Sequence, residues 1–141
     1  MRDFGPNETS PAVDNRALRA QDNPMLLTLS QVALGGALGA VLRCLTGLAI
    51  AFPFGTLAVN VVGSFLIGVL WVALADRGAW AALLITGILG GFTTFSAFSL
   101  DTLRLVEAGR APMAALYVLA SVTLSLGAVA LGHSITKGAL G

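Results

Sequence analysis

The 141-residue chain has one cysteine, one histidine and one lysine, and only 11% of its residues are charged. The single Cys44 excludes an intramolecular disulfide and any cysteine-based metal cluster, and it reads as a small apolar helix residue. Soluble domains carry about 25% charge. Here 56% of residues are hydrophobic and the mean hydropathy is +0.86, which excludes an ordinary soluble globule and points to an integral membrane protein. Acidic residues are absent from Asn23 to Ala75, from Gly78 to Leu100 and after Glu107. A proton-coupled exporter of cations would want a carboxylate inside the membrane, and a cation channel an acidic ring. A net charge of +1 and the lack of any basic face interleaved with aromatics give no argument for nucleic acid. No Ser/His/Asp set, HExxH pair, nucleotide-binding loop or cofactor motif occurs, so the sequence makes no case for an enzyme.

What is there is an all-α pattern. Residues 1–24 form a polar tail with three Arg, four acidic residues, three Pro and three Asn, which reads as disordered or loosely attached. A single domain of four apolar, membrane-spanning segments fills 25–141: about Met25 to Ile50, Gly55 to Ala75, Trp80 to the Leu103 region, and Pro112 to Ile135. Each has about 20 residues or more, enough at 1.5 Å per residue to cross a hydrocarbon core of about 30 Å. Pro53 and Pro112 mark helix boundaries, Asp76-Arg77-Gly78 is a turn signal, and Trp71 and Trp80 flank that turn as an interfacial belt would.

Four spans put the tail, the 76–79 turn and the C-terminus on one side. Arg16, Arg19, Arg77 and Lys137 there face Arg43, Arg104 and Arg110 on the other. This near-balance allows insertion in both orientations, whose natural assembly is an antiparallel homodimer. The alternative is a weak bias that leaves the tail in the cytoplasm.

The stretch Gly90-Gly91-Phe92-Thr93-Thr94-Phe95-Ser96-Ala97-Phe98-Ser99 lies inside an uncharged apolar run yet is a poor continuous helix. Non-helical backbone at membrane depth is tolerated only inside protein or along an aqueous cavity. The third span is therefore expected to be broken near a small polar or ionic ligand. A close-packing surface of small residues is the competing reading.

Neutral polar side chains recur at steps of four. Thr56, Asn60 and Ser64 share one face of the second helix, and Tyr117, Ser121 and Ser125 one face of the fourth. Asn60 reads either as an NH2 donor for an anion or as an interhelical hydrogen bond. Thr123 lies off the hydroxyl stripe and bonds to its own helix. Phe95 and Phe98, three apart, can turn ring edges toward a dehydrated anion or simply pack. Arg43 either snorkels to the interface or gathers anions at a pore mouth. Gly35 and Gly39 form a GxxxG packing pair, and the isolated His133 near the end of the fourth span is interfacial.

Three motifs in this order carry a family resemblance: Gly35-Gly36-Ala37-Leu38-Gly39-Ala40-Val41-Leu42-Arg43, Gly55-Thr56-Leu57-Ala58-Val59-Asn60-Val61-Val62-Gly63-Ser64-Phe65, and residues 90–99. Together they resemble the Fluc (CrcB) fluoride channels over about 25–135. The resemblance implies a dual-topology antiparallel homodimer in the cell membrane that exports fluoride passively, with membrane lipid around it. It implies pore-lining rings at Phe95 and Phe98, an amide donor at Asn60 with Thr56 below it, and a polar track at Tyr117, Ser121 and Ser125. It also implies a structural sodium ion at the two-fold axis, held by the backbone carbonyls of Gly90 and Thr93. Two residues depart from the family pattern: Cys44 stands where an aromatic is common, and Asp101 where Glu is common. A coupled small-solute transporter on the same four-helix dimer is the alternative function.

Overall fold

The computed structural model describes residues 15–75 and 78–140. They fold into helices α1 (Asn15–Ala49), α2 (Phe54–Ala73), α3 (Gly78–Ala81), a π-helical segment (Ala82–Leu89), α4 (Gly90–Phe92), α5 (Phe95–Glu107) and α6 (Ala111–Leu140). Among the described residues, four stretches are long and apolar enough to cross a membrane: Pro24–Ala49, Phe54–Ala73, Ala82–Glu107 and Ala111–Leu140. The all-helical, four-span architecture expected from the apolar runs is present.

The boundaries differ in instructive ways. The first apolar run starts at Met25, whereas α1 starts at Asn15 and carries Pro24 inside it. Asn15–Asn23, read above as part of a disordered or loosely attached tail, have helical backbone. Pro24 marks where the apolar composition begins, not where helical backbone does. At 35 residues α1 is about 52 Å long, well beyond one hydrocarbon core. The rest of the expected tail, residues 1–14, lies outside the described residues, as do Asp76 and Arg77 of the expected turn. Pro112 falls in the first turn of α6, where a missing N–H costs nothing.

Two helix pairs make the bundle, and each closes on glycine. Hydrophobicity does not drive association between helices in lipid, so close backbone approach and dispersion must supply it. On α1, Gly35 lies against the Leu83 carbonyl and the Gly87 Cα, and Gly39 lies so close to the Ile88 carbonyl that no Cβ fits. On the other pair, Gly68 of α2 meets the Val129 carbonyl and Gly132 of α6 meets the Phe65 carbonyl. The Gly35/Gly39 pair expected to be a packing signal packs against the π-helical segment. The wider turn of that segment has no signature in the composition.

The interior is small. Leu105 and Val59 are fully buried, and Leu105 forms a cluster with Phe98, Ala114 and Tyr117 between α5 and α6. Large apolar side chains point outward, among them Leu34, Leu48, Leu116 and Leu119. Exposed apolar surface on this scale needs lipid or another protein chain to cover it. Trp71 and Trp80 are also exposed, as side chains of an interfacial belt would be.

Candidate functional site

Helical backbone stops at Phe92 and resumes at Phe95. Thr93 (φ −75°, ψ 152°) and Thr94 (φ −156°, ψ 119°) are extended. Two β-branched residues after two glycines favour this conformation locally. Space for it comes from α2, where Gly63 leaves room for the Thr93 methyl group.

Extended backbone frees polar groups, and Asn60 takes up two of them. Its Oδ1 accepts the Thr94 N–H at 2.8 Å, and its Nδ2 donates to the Thr94 carbonyl at 3.0 Å. The Thr94 N–H can only donate, so it also sets which end of the Asn60 amide faces it. Thr94 then caps α5, its Oγ1 accepting the Ala97 N–H at 3.1 Å. Asn60 thus makes the interhelical hydrogen bond through one Nδ2 hydrogen, and its amide keeps a second N–H.

These bonds leave two carbonyls without their helical donors. In a continuous helix the Thr94 N–H would bond to the Gly90 carbonyl and the Ala97 N–H to that of Thr93. Both N–H groups bond elsewhere. The freed oxygens belong to the two residues that the sequence resemblance singles out for sodium. They are hard ligands of the kind a hard cation takes, so the donor set fits such an ion.

Beside the interruption lies a groove of about 320 Å³. Asn60, Ser64, Phe95, Phe98, Ser121 and Ser125 line it together with Thr93, Thr94, Val122 and Leu126, and none of these is charged. Phe95 and Phe98 are neighbours, with centroids 5.3 Å apart and planes at 47°. Phe98 continues the aromatic row to Tyr117 at 5.5 Å. Phe95 is 77% exposed and Phe98 only 8%, so one ring faces outward while the other is held in the core. Tyr117 Oη and Ser121 Oγ are buried with no hydrogen-bond partner among the described residues. Thr123, as expected, bonds back to the Leu119 carbonyl at 2.7 Å.

Thr56 lies elsewhere. It lines a second cavity of about 260 Å³ between the end of α1, the start of α2 and α5, together with Asp101 and Arg104. Thr56 Oγ1 donates to Asp101 Oδ2 at 2.6 Å, and Arg104 Nη1 stands 3.7 Å from Asp101 Oδ1. Arg43, half-buried on α1, lines neither space. Cys44 is exposed.

Two residues matter more than the sequence suggests. Thr94 is the hub of the interruption, and its signal was its place before a helix start, where threonine caps. Asp101 is a buried junction, 7% exposed. An acidic residue at the end of an apolar span is a signal in its own right.

Residues 30–133 match the family model described as CrcB-like protein, Camphor Resistance (CrcB). The chain belongs to the CrcB family. It is 55% identical over 121 residues to the Fluoride-specific ion channel FluC of Cereibacter sphaeroides, covering 81% of this chain and 98% of that one. It is 52% identical over 118 residues to the protein of the same name from Paracoccus denitrificans, covering 79% and 95%. With that of Agrobacterium fabrum it shares 49% over 123 residues, covering 79% and 98%. The family resemblance drawn from the three motifs is thus correct.

Proposed function

We propose that this CrcB-family chain is a multi-pass cell-membrane channel that passes fluoride selectively and passively out of the cell, lowering its cytoplasmic concentration. The names of its relatives and their near-complete coverage support the ion. The observation on this chain that carries the reading is the uncharged groove at the helix interruption, where the Asn60 amide, the Ser121 and Ser125 hydroxyls and the Phe95 ring meet.

Fluoride is small and strongly hydrated, so a path must replace its water with donors without trapping it. Neutral N–H and O–H groups and positive ring edges do this. A fixed ammonium would bind too tightly for rapid exit. The pathway we assign runs along Asn60, Phe95, Phe98, Ser121 and Ser125, and continues past Tyr117 to Thr56. The unpaired Tyr117 and Ser121 hydroxyls are the donors that a passing anion or water would satisfy. Arg43 belongs to the vestibule.

In this proposal the third span works as a broken helix, and the working unit is an antiparallel, dual-topology homodimer. The exposed leucines of α1 and the nearly balanced flanking charges support a partner of the same chain. The Gly90 and Thr93 carbonyls of each copy would hold a structural sodium ion. That ion would supply positive charge to oxygens that have lost their helical donors.

The test is fluoride release from liposomes containing the purified protein, with a potassium ionophore to dissipate the voltage. Rapid fluoride release without matching chloride release is the expected result. Equal release of both ions would refute selectivity. Saturable release that depends on a second ion gradient would point to coupled transport instead.

A further inference from the structure

The second cavity presents a problem for the pathway just proposed, and the inference here rests on that pathway. Thr56 is counted on as a donor, but a hydroxyl has one proton. That proton is committed to Asp101 Oδ2 at 2.6 Å. The Asp101 side chain is itself a buried negative charge beside a route for anions, and it repels them. Among the described residues Arg104 is the one basic residue lining this cavity, and it stands over the other carboxylate oxygen, Oδ1, at 3.7 Å. Its side chain is 58% exposed and borders about 260 Å³ of space, so it has room to close on the carboxylate.

We infer that Arg104 is a positioning residue of the anion pathway: it offsets the charge of Asp101 and holds the carboxylate when the Thr56 hydroxyl turns to a passing fluoride. The two carboxylate oxygens make this exchange possible. While Thr56 donates to Oδ2, Arg104 balances the charge from Oδ1. When Thr56 lets go, Arg104 is the remaining partner. The local net charge stays near zero, so an anion is neither expelled nor held. Without Arg104, Thr56 stays bound to Asp101 and the mouth carries an uncompensated negative charge. An ordinary exposed i,i+3 pair would instead contribute little to anything.

The experiment measures fluoride current through the purified full chain in planar bilayers. Arg104→Gln is expected to lower the current roughly tenfold, the deficit shrinking as inert salt is raised because exposed charges are screened. Arg104→Lys keeps the charge and stays within about twofold of the parent. In an Asp101→Asn background, Arg104→Gln changes nothing further, since no charge is left to offset. A parental current in Arg104→Gln, or an undiminished deficit in the Asp101→Asn background, overturns the inference.

A second arm restores the charge chemically on the folded, reconstituted protein. Arg104→Cys in a Cys44→Ala background is treated with a positively charged or an uncharged thiosulfonate. Higher current after the positive reagent supports the inference, and equal currents overturn it. No fluoride current in the parent protein would sink the channel reading itself, which keeps the two failures distinct.

Discussion

Asn60→Asp tests the helix interruption most directly, because it alters one end of the amide and leaves the shape. The Asp carboxylate can still accept the Thr94 N–H, now at 2.8 Å from Oδ1. The other bond, from Nδ2 to the Thr94 carbonyl at 3.0 Å, is lost, and two oxygens face each other in its place. Leaving that carbonyl unpaired costs about 1–3 kcal/mol. The new negative charge also borders the groove. At an effective dielectric of about 20, a carboxylate about 5 Å from a passing anion repels it by roughly 3 kcal/mol. The groove is open, so screening reduces this, and a fall in current of about tenfold to a hundredfold is expected. The assay pairs fluoride current in planar bilayers with thermal unfolding in detergent, so that lost flux is separated from lost protein. Asn60→Leu is the companion variant: it orphans both Thr94 groups and should unfold at a lower temperature than Asn60→Asp. A parental current in Asn60→Asp of parental stability would refute the assignment of Asn60 to the pathway.

Other predictions follow from burial and capping. Phe98→Ala removes a core ring and is expected to cost about 3–5 kcal/mol, whereas Phe95→Ala, on an exposed ring, should leave stability nearly unchanged and still depress fluoride current. Unfolding curves and currents on the two variants would separate the roles. Thr94→Val removes the α5 cap and should cost about 1 kcal/mol, with Thr94→Ser close to the parent. Gly39→Leu would drive a side chain into the Ile88 carbonyl and part α1 from the π-helical segment, seen as loss of the monodisperse species on size exclusion. Replacing sodium by a large organic cation should lower the unfolding temperature if the Gly90 and Thr93 carbonyls hold the ion, and an unchanged temperature would count against that site.

Much of this protein was legible in the linear chain because a bilayer imposes simple rules. Apolar length and sparse charge alone determined a four-span, all-helical membrane protein, since only internally bonded backbone survives in hydrocarbon. Steps of four placed Asn60 and the Ser121/Ser125 hydroxyls on helix faces, and they meet at one groove. Clustered glycines and threonines pointed to residues 90–99, where the extended backbone is found. The order of three motifs pointed to the family.

Other features depended on what lies across the bundle. The bond partners of Asn60 are backbone groups 34 residues away, so composition could not choose between an anion and a second helix. The apolar run could not place the start of α1, because helical backbone continues through a polar stretch and a proline. The junction of Thr56 and Asp101 joins positions 45 residues apart. In the chain Asp101 was only an acid just beyond an uncharged run, and tertiary packing gave it a hydroxyl on one oxygen and a guanidinium near the other. Periodicity specifies which face of a helix a residue occupies, but the face it meets is decided by the glycine contacts that set how closely, and in what register, the helices pack.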